Sequence, residues 1–159
     1  MRRLEDKNVT TINSWGGASE IAKRLIGTWS LDRVVEGQAT MQGVATFAPL
    51  DSGQLAYREQ GVLMLANGTT VQAEREYIFS RSDDGFEVFF REDPPRLFHA
   101  ISLSASPGGG LSGHARHLCR RDDYQSAYTF LPDGTFVVRH VVSGPAKDYA
   151  MRTVYTRCP

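Results

Sequence analysis

Glu59 and Arg75 carry the clearest chemistry in this sequence, because their spacing sets opposite charges face to face. They stand on the two arms of a hairpin over 54–82 that reads QLAYREQGVLML, then ANG, then TTVQAEREYIFSRS. A two-residue Asn67-Gly68 loop sets Leu63 opposite Gln72. A three-residue loop, Ala66-Asn67-Gly68 with Gly68 left-handed, sets Leu63 opposite Val71. The second register matches apolar to apolar, and it turns Glu59 and Arg75 inward as opposites, with Tyr57 facing Tyr77. Such cross-strand partners approach within about 5 Å. Two readings follow. The pair is a buried ion pair that holds register, or it anchors a ligand, with Arg75 receiving a carboxylate or phosphate through two parallel hydrogen bonds.

The histidines are the next candidates. By alternation, Leu97, His99, Ile101 and Leu103 share a face, as do Phe136, Val138, His140 and Val142, so both imidazoles sit in apolar rows. A core histidine, a general base and an axial haem ligand all fit that placement. His117 and Cys119 share a strand face while His114 points the other way, and two converging ligands fall short of the four that zinc requires. No metal site is therefore expected. A catalytic reading uses His99 or His117 as base with Asp122 or Glu59 as orienter. No Ser-His-Asp order, G-x-S-x-G elbow or phosphate loop accompanies them. Asp122 and Asp123 read as a turn before Tyr124. Gly144-Pro145 breaks the chain so that Lys147 lies either in a plain surface turn or on the rim of a site. The candidate ligand-binding set is Tyr57, Glu59, Arg75, Tyr77 and His99, followed by His117, Tyr124, Tyr128, His140 and Lys147.

The elements that must position these residues repeat the pattern of the hairpin. From Thr28 onward hydrophobicity alternates with period two, giving strands over 28–35, 44–50, 54–65, 69–82, 86–92, 97–103, 114–120, 124–131, 135–143 and 148–158. Gly, Asp and Pro turns separate them, and short turns impose antiparallel neighbours. About ten such strands curl and close, so the fold class is all-β, a single antiparallel up-and-down β-barrel. Residues 19–27 read as a short helix that covers one end of the sheet, and 1–18 as a flexible N-terminal arm before the barrel domain over 19–159. Residues 104–113, with Pro107 and three consecutive glycines, form the one long loop.

Composition bounds the rest. The chain of 159 residues makes about one domain, and its eighteen basic and eighteen acidic residues cancel, so nothing steers it to nucleic acid. Neither an apolar run of membrane-spanning length nor a signal-peptide core is present, which makes the cytoplasm the expected location and a membrane partner unexpected. Cys119 and Cys158 are expected as free thiols.

Together the residues resemble a known group. Leu25-Ile26-Gly27-Thr28-Trp29 is similar to the helix and G-x-W opening of the calycins, which include lipocalins, fatty-acid-binding proteins and nitrobindin-like haem proteins. A closer likeness is to a small lipocalin-like family of unknown function. It is carried by Trp29 with Asp32-Arg33, Tyr57-x-Glu59-x-Gly61, Arg75-x-Tyr77 and Phe98-His99. His117-x-Cys119-x-x-Asp122-x-Tyr124 and Gly144-Pro145-x-Lys147-Asp148-Tyr149 complete it, over about 25–157. The resemblance implies a barrel and a residue list without a reaction. Nitrobindins carry a haem-ligating histidine near the C-terminus, whereas 148–158 has none here, so His140 and His99 are the haem candidates and no cofactor is the leading expectation. A small apolar or amphipathic molecule with an anionic or polar head is the expected partner, and the outer sheet face is compatible with a homodimer or a structural role.

Overall fold

The alternating runs pair in sequence order and wrap into a barrel. The computed structural model describes residues 14–159. Its strands are β1 Gly27–Val35, β2 Ala39–Pro49, β3 Leu55–Leu65, β4 Thr70–Ser82, β5 Gly85–Phe90 and β6 Arg96–Ser102. They continue as β7 Ser104–Ala105, β8 Leu111–Cys119, β9 Asp122–Phe130, β10 Phe136–Ser143 and β11 Asp148–Arg157. All lie in one antiparallel sheet of order β6-β5-β4-β3-β2-β1-β11-β10-β9-β8-β7. The two sheet ends come together where Gly113 of β8 meets β6: a Cβ there would stand 2.4 Å from the carbonyl oxygen of Ser102.

The hairpin register is the one the apolar match selects. Leu63 faces Val71, Glu59 faces Arg75 and Tyr57 faces Tyr77, and Gly68 takes a left-handed φ of 89°. The next hairpin sets Phe79 against Val88 and Tyr77 against Phe90. Three local expectations need correction. Residues 104–113 form a tight hairpin instead of a long loop, with Ser104 pairing Ser112 and Ala105 pairing Leu111. Asp122 and Asp123 begin β9, so the turn is Arg120-Arg121, with Cys119 paired to Asp122. β2 starts at Ala39, well before the apolar run, because Gly43 and Gly61 face each other across the ladder. A Cβ on Gly43 would meet the carbonyl oxygen of Gln60 at 2.3 Å, and one on Gly61 that of Gln42 at 2.3 Å. Only glycine fits this crossing.

A helix α1, Ile21–Leu25, closes one end of the barrel, with Ile21, Ala22 and Leu25 buried. Of the expected arm, residues 1–13 lie outside the described residues, while 14–18 are docked. Trp15 is 2% exposed. It stacks on Trp29 at 5.9 Å and meets Phe130 edge-on at 4.9 Å. Its indole N–H donates to the Leu131 carbonyl oxygen at 2.8 Å, and that of Trp29 to Leu25 at 2.9 Å. A segment without hydrophobic period thus contributes one large side chain with its polar atom satisfied. Phe136 and Tyr155, stacked 4.3 Å apart, extend this plug toward the middle.

Trp15→Ala is expected to lower the unfolding free energy by about 3 kcal/mol or more, as large-to-small core changes do, measured by urea denaturation. A loss below about 1 kcal/mol would mean that the segment before α1 adds nothing to the barrel.

Candidate functional site

Below the middle of the barrel, Glu59 is held by a residue the sequence reasoning did not select. Arg33 faces inward from β1 in the row of Trp29 and Leu31. Its Nη1 donates to Glu59 Oε2 at 2.7 Å and its Nη2 to Oε1 at 3.0 Å. Its Nε donates to Thr153 Oγ1 at 2.8 Å. β2 lies between β1 and β3: Met41, opposite Arg33, sets its Sδ 3.6 Å from Nη1, and the small residues Gly43 and Ala45 next along the inward row leave the guanidinium a path to Glu59. Tyr57 spends its single proton on Glu59 Oε1 at 2.6 Å. The 2.9 Å contact between Tyr57 and Tyr155 is therefore donated by Tyr155. Burial pushes the Glu59 carboxyl up, but the Arg33 hydrogen bonds and charge, helped by Tyr57, hold it below its usual value. Burial likewise raises Tyr155 to about 12, so both phenols stay protonated donors.

This corrects the expected ion pair. Glu59 and Arg75 are register partners, yet the carboxylate oxygens are already taken by the fork of Arg33. Arg75 instead donates to the Tyr77 hydroxyl, at 3.3 Å. Among the described residues no carboxylate lies within ion-pair distance of it.

Arg75 stands on the wall of a cavity of about 420 Å³ at the end of the barrel opposite α1. Tyr77, His117, Tyr124, His140 and Lys147 share that wall. Beneath it a void of about 30 Å³ touches Tyr57, Glu59, Tyr128 and Tyr155. Every residue of the expected set except His99 thus faces one of these two spaces. The cavity also has contributors outside the expected binding set: Phe90, Phe98, Tyr149 and Met151. Alternation along β5 and β11 identifies all but Phe98.

A bulge decides Phe98 and His99. Pairing slips between Val88 and Phe89, so Val88 faces His99 while Phe89 faces Leu97. Leu97 turns out to 43% exposure and Phe98 turns in, against the expected face of Leu97. Phe98 packs face to face with Tyr77 and His140, at 5.8 and 6.2 Å between ring centres, and takes the edge of His117 at 5.5 Å. His99 is sealed behind it, with Nε2 against the Tyr128 hydroxyl at 3.0 Å and Nδ1 without a partner. It is not placed to ligate a haem or to act as a base in the cavity. His140 does line the cavity, and its Nδ1 is bonded to Ser126 Oγ at 2.8 Å. Burial, then the charges of Arg33 and Arg75, lower His140 to about 4. Burial, then the neighbouring histidines, lower His99 to about 3. Both rings are neutral at pH 7.

At the rim, Lys147 Nζ donates to the Tyr124 hydroxyl at 2.7 Å and stands 3.4 Å from Asp122. Lys147 is therefore a rim residue. Among the described residues no group of three or more His, Cys, Asp or Glu could hold a metal ion, and both cysteines are free thiols.

Two outcomes follow. Glu59→Gln leaves Arg33 buried without its counter-charge and is expected to destabilise by about 3–5 kcal/mol. The double variant Arg33→Met with Glu59→Leu recovers most of that loss, as read by urea denaturation of all three proteins. Acid also destabilises. The two histidines titrate near 6.5 when unfolded and at about 4 and 3 when folded, so in this window the unfolded chain binds more protons. Their contribution is whole above the unfolded value and falls by up to about 1.4 kcal/mol per histidine for each pH unit below it. Glu59, also depressed, adds to the loss as pH drops below its unfolded value. A Tm that stays level from pH 7 to pH 5 would contradict the assignment of neutral buried rings.

The comparisons with known proteins add lineage. No curated protein matches the chain. Among solved structures it is similar to a redesigned β-barrel, mFAP1, bound to DFHBI, at 15% identity and a TM-score of 0.42 over 86% of this chain and 97% of that one. A second, EF1p2_mFAP2b bound to DFHBI, has 16% identity and a TM-score of 0.45 over 89% of this chain and 100% of that one. The model of a family of unknown function, DUF6314, matches residues 25–157, from the last residue of α1 to the last of β11, and the chain belongs to that family.

Proposed function

We propose that this protein is a small-molecule-binding barrel whose ligand is amphipathic, with an anionic head on Arg75 and an apolar body among the aromatic rings of the mouth. The observation that carries the reading is the division of labour between the two inward arginines. Arg33 saturates Glu59, which leaves Arg75 beside a cavity of about 420 Å³ with a hydroxyl as its only hydrogen-bond partner among the described residues. A guanidinium so placed offers parallel donors to a carboxylate, sulfonate or phosphate. The cavity size lies in the lower part of the range for small-molecule sites, about 300–1,000 Å³. Tyr77, His140 and Tyr124 supply polar edges beside the apolar surfaces of Phe90, Phe98, Val142 and Met151, and Lys147 and His117 stand at the entrance. His99 and His140 hydrogen-bond hydroxyls and not carboxylates, which favours the binding reading over a barrel enzyme built on either of them. Among the described residues no helix is long and apolar enough to cross a membrane. The two free thiols fit a reducing compartment, and the cytoplasm is where we expect the protein to work.

Titration with anilinonaphthalene sulfonate, an apolar body carrying one anion, tests this by fluorescence. The expected result is saturable binding of one equivalent, weakened about tenfold or more by Arg75→Gln, since a hydrogen bond to a charged group is worth about 1.5–3 kcal/mol. Circular dichroism should show the variant folded as before. Equal affinity in a folded Arg75→Gln protein would remove Arg75 as the anchor and the proposal with it.

A further inference from the structure

The cavity has a charge count, a depth and a wall chemistry, and these narrow the ligand. Four ionisable side chains with full charges line it: Arg75, Arg96, Lys147 and Glu76. Glu76 pairs with Arg91 at 3.2 Å, Arg96 with Glu92 at 3.2 Å, and Lys147 with Asp122 at 3.4 Å. Among the described residues one positive charge, that of Arg75, is left without an ion-pair partner.

The depth is set by the floor. Below the cavity about 30 Å³ remains beside the network of Arg33, Glu59, Tyr57 and Tyr155, room for little more than a water molecule. A long alkyl chain has no shaft to descend, and its tail would stay in the mouth or outside it.

The walls favour a ring. Phe98 lies within 24° of parallel to both Tyr77 and His140, while His117 and Tyr124 turn their rings nearly perpendicular to it, at 86° and 83°. Offset stacking and edge-to-face contacts each add about 0.5–1.5 kcal/mol beyond burial for an aromatic guest. A flexible chain earns none of that and loses rotamer freedom. His140 commits Nδ1 to Ser126, which leaves Nε2 as the polar atom this ring can offer to the cavity. Because burial keeps the ring uncharged near neutrality, it suits a hydroxyl or amide and adds no attraction for a second anion.

From this we infer that the ligand is a compact planar aromatic monoanion, its acid group on Arg75, its ring against the half-buried rings of Tyr77, Phe90 and Tyr124 and a neutral polar substituent at His140. The inference rests on the binding reading above and goes beyond it in excluding long-chain acids and dianions as the preferred class.

A matched series separates the two claims: naphthoate, naphthyl phosphate, naphthamide and palmitate, each competed against anilinonaphthalene sulfonate on the wild-type protein at pH 7.5. Naphthoate is expected to bind about tenfold or more tighter than its dianionic and neutral analogues, with palmitate a poor competitor. Arg75→Gln should reduce naphthoate to the level of naphthamide. A hydroxyl substituent on naphthoate should strengthen binding to wild type and leave folded His140→Phe unaffected. Tighter binding of palmitate or of naphthyl phosphate overturns the inference and leaves the binding barrel standing. The same holds if all four fail while anilinonaphthalene sulfonate binds in an Arg75-dependent way. Failure of every probe, the sulfonate included, overturns both.

Discussion

The ion pair between Arg33 and Glu59 is the interaction on which the rest of the interior depends. It joins β1 to β3 across β2, and through Thr153 it also engages β11. Replacing such a buried pair by packed apolar residues is often neutral or stabilising, whereas removing one partner is severe. Its presence is therefore better explained by what it arranges than by the stability it adds. It demands small residues beside its path, which Gly43, Gly61 and Ala45 provide. It also uses up the only carboxylate directly opposite Arg75. Without Arg33, the register partners Glu59 and Arg75 would neutralise each other and the cavity would lose its charge.

The pair also divides the barrel. On the α1 side, Trp15, Trp29, Phe130 and Phe136 interlock with both indole N–H groups satisfied, and the interior there is a solid core. On the other side the strands run on with no helix among the described residues to plug them, and the rings that point inward line a space instead of filling it. The solid core and the cavity thus draw on different halves of the same strands. Val138 of β10 packs in the core and His140, two residues on, borders the cavity.

Much of this arrangement is legible in the residues, and the exceptions have identifiable causes. Asn67-Gly68 with apolar runs on both sides determines the central register, and period two then points Tyr57, Glu59, Arg75 and Tyr77 inward. Arg33 obeys the same rule, following Trp29 and Leu31 at intervals of two. What pairwise register does not reveal is a contact across an intervening strand, because that depends on Gly43 and Ala45 being small. Phe98 and Leu97 exchange faces through a bulge, a change of one residue that reverses every assignment before it on that strand. Trp15 lies in a segment with no period, so its burial follows from the hole left above Trp29 and not from any local pattern.

The mouth and the floor differ in how readily they can yield. At the mouth, Lys147 joins the β10–β11 connection to Tyr124 and Asp122, and Gly144 sits against Asp122 so closely that a Cβ would collide with it. Lys147 is exposed, and ion pairs in that setting are worth at most about 1 kcal/mol. The floor pair, by contrast, costs several times as much to break. A molecule entering the cavity can displace the Lys147 contact at small cost, while the Arg33–Glu59 floor holds its position. On the proposed reading, admission and recognition would fall to different ends of the cavity: a weakly tied rim at Lys147, and a floor whose Arg33–Glu59 pair leaves Arg75 bonded to the Tyr77 hydroxyl.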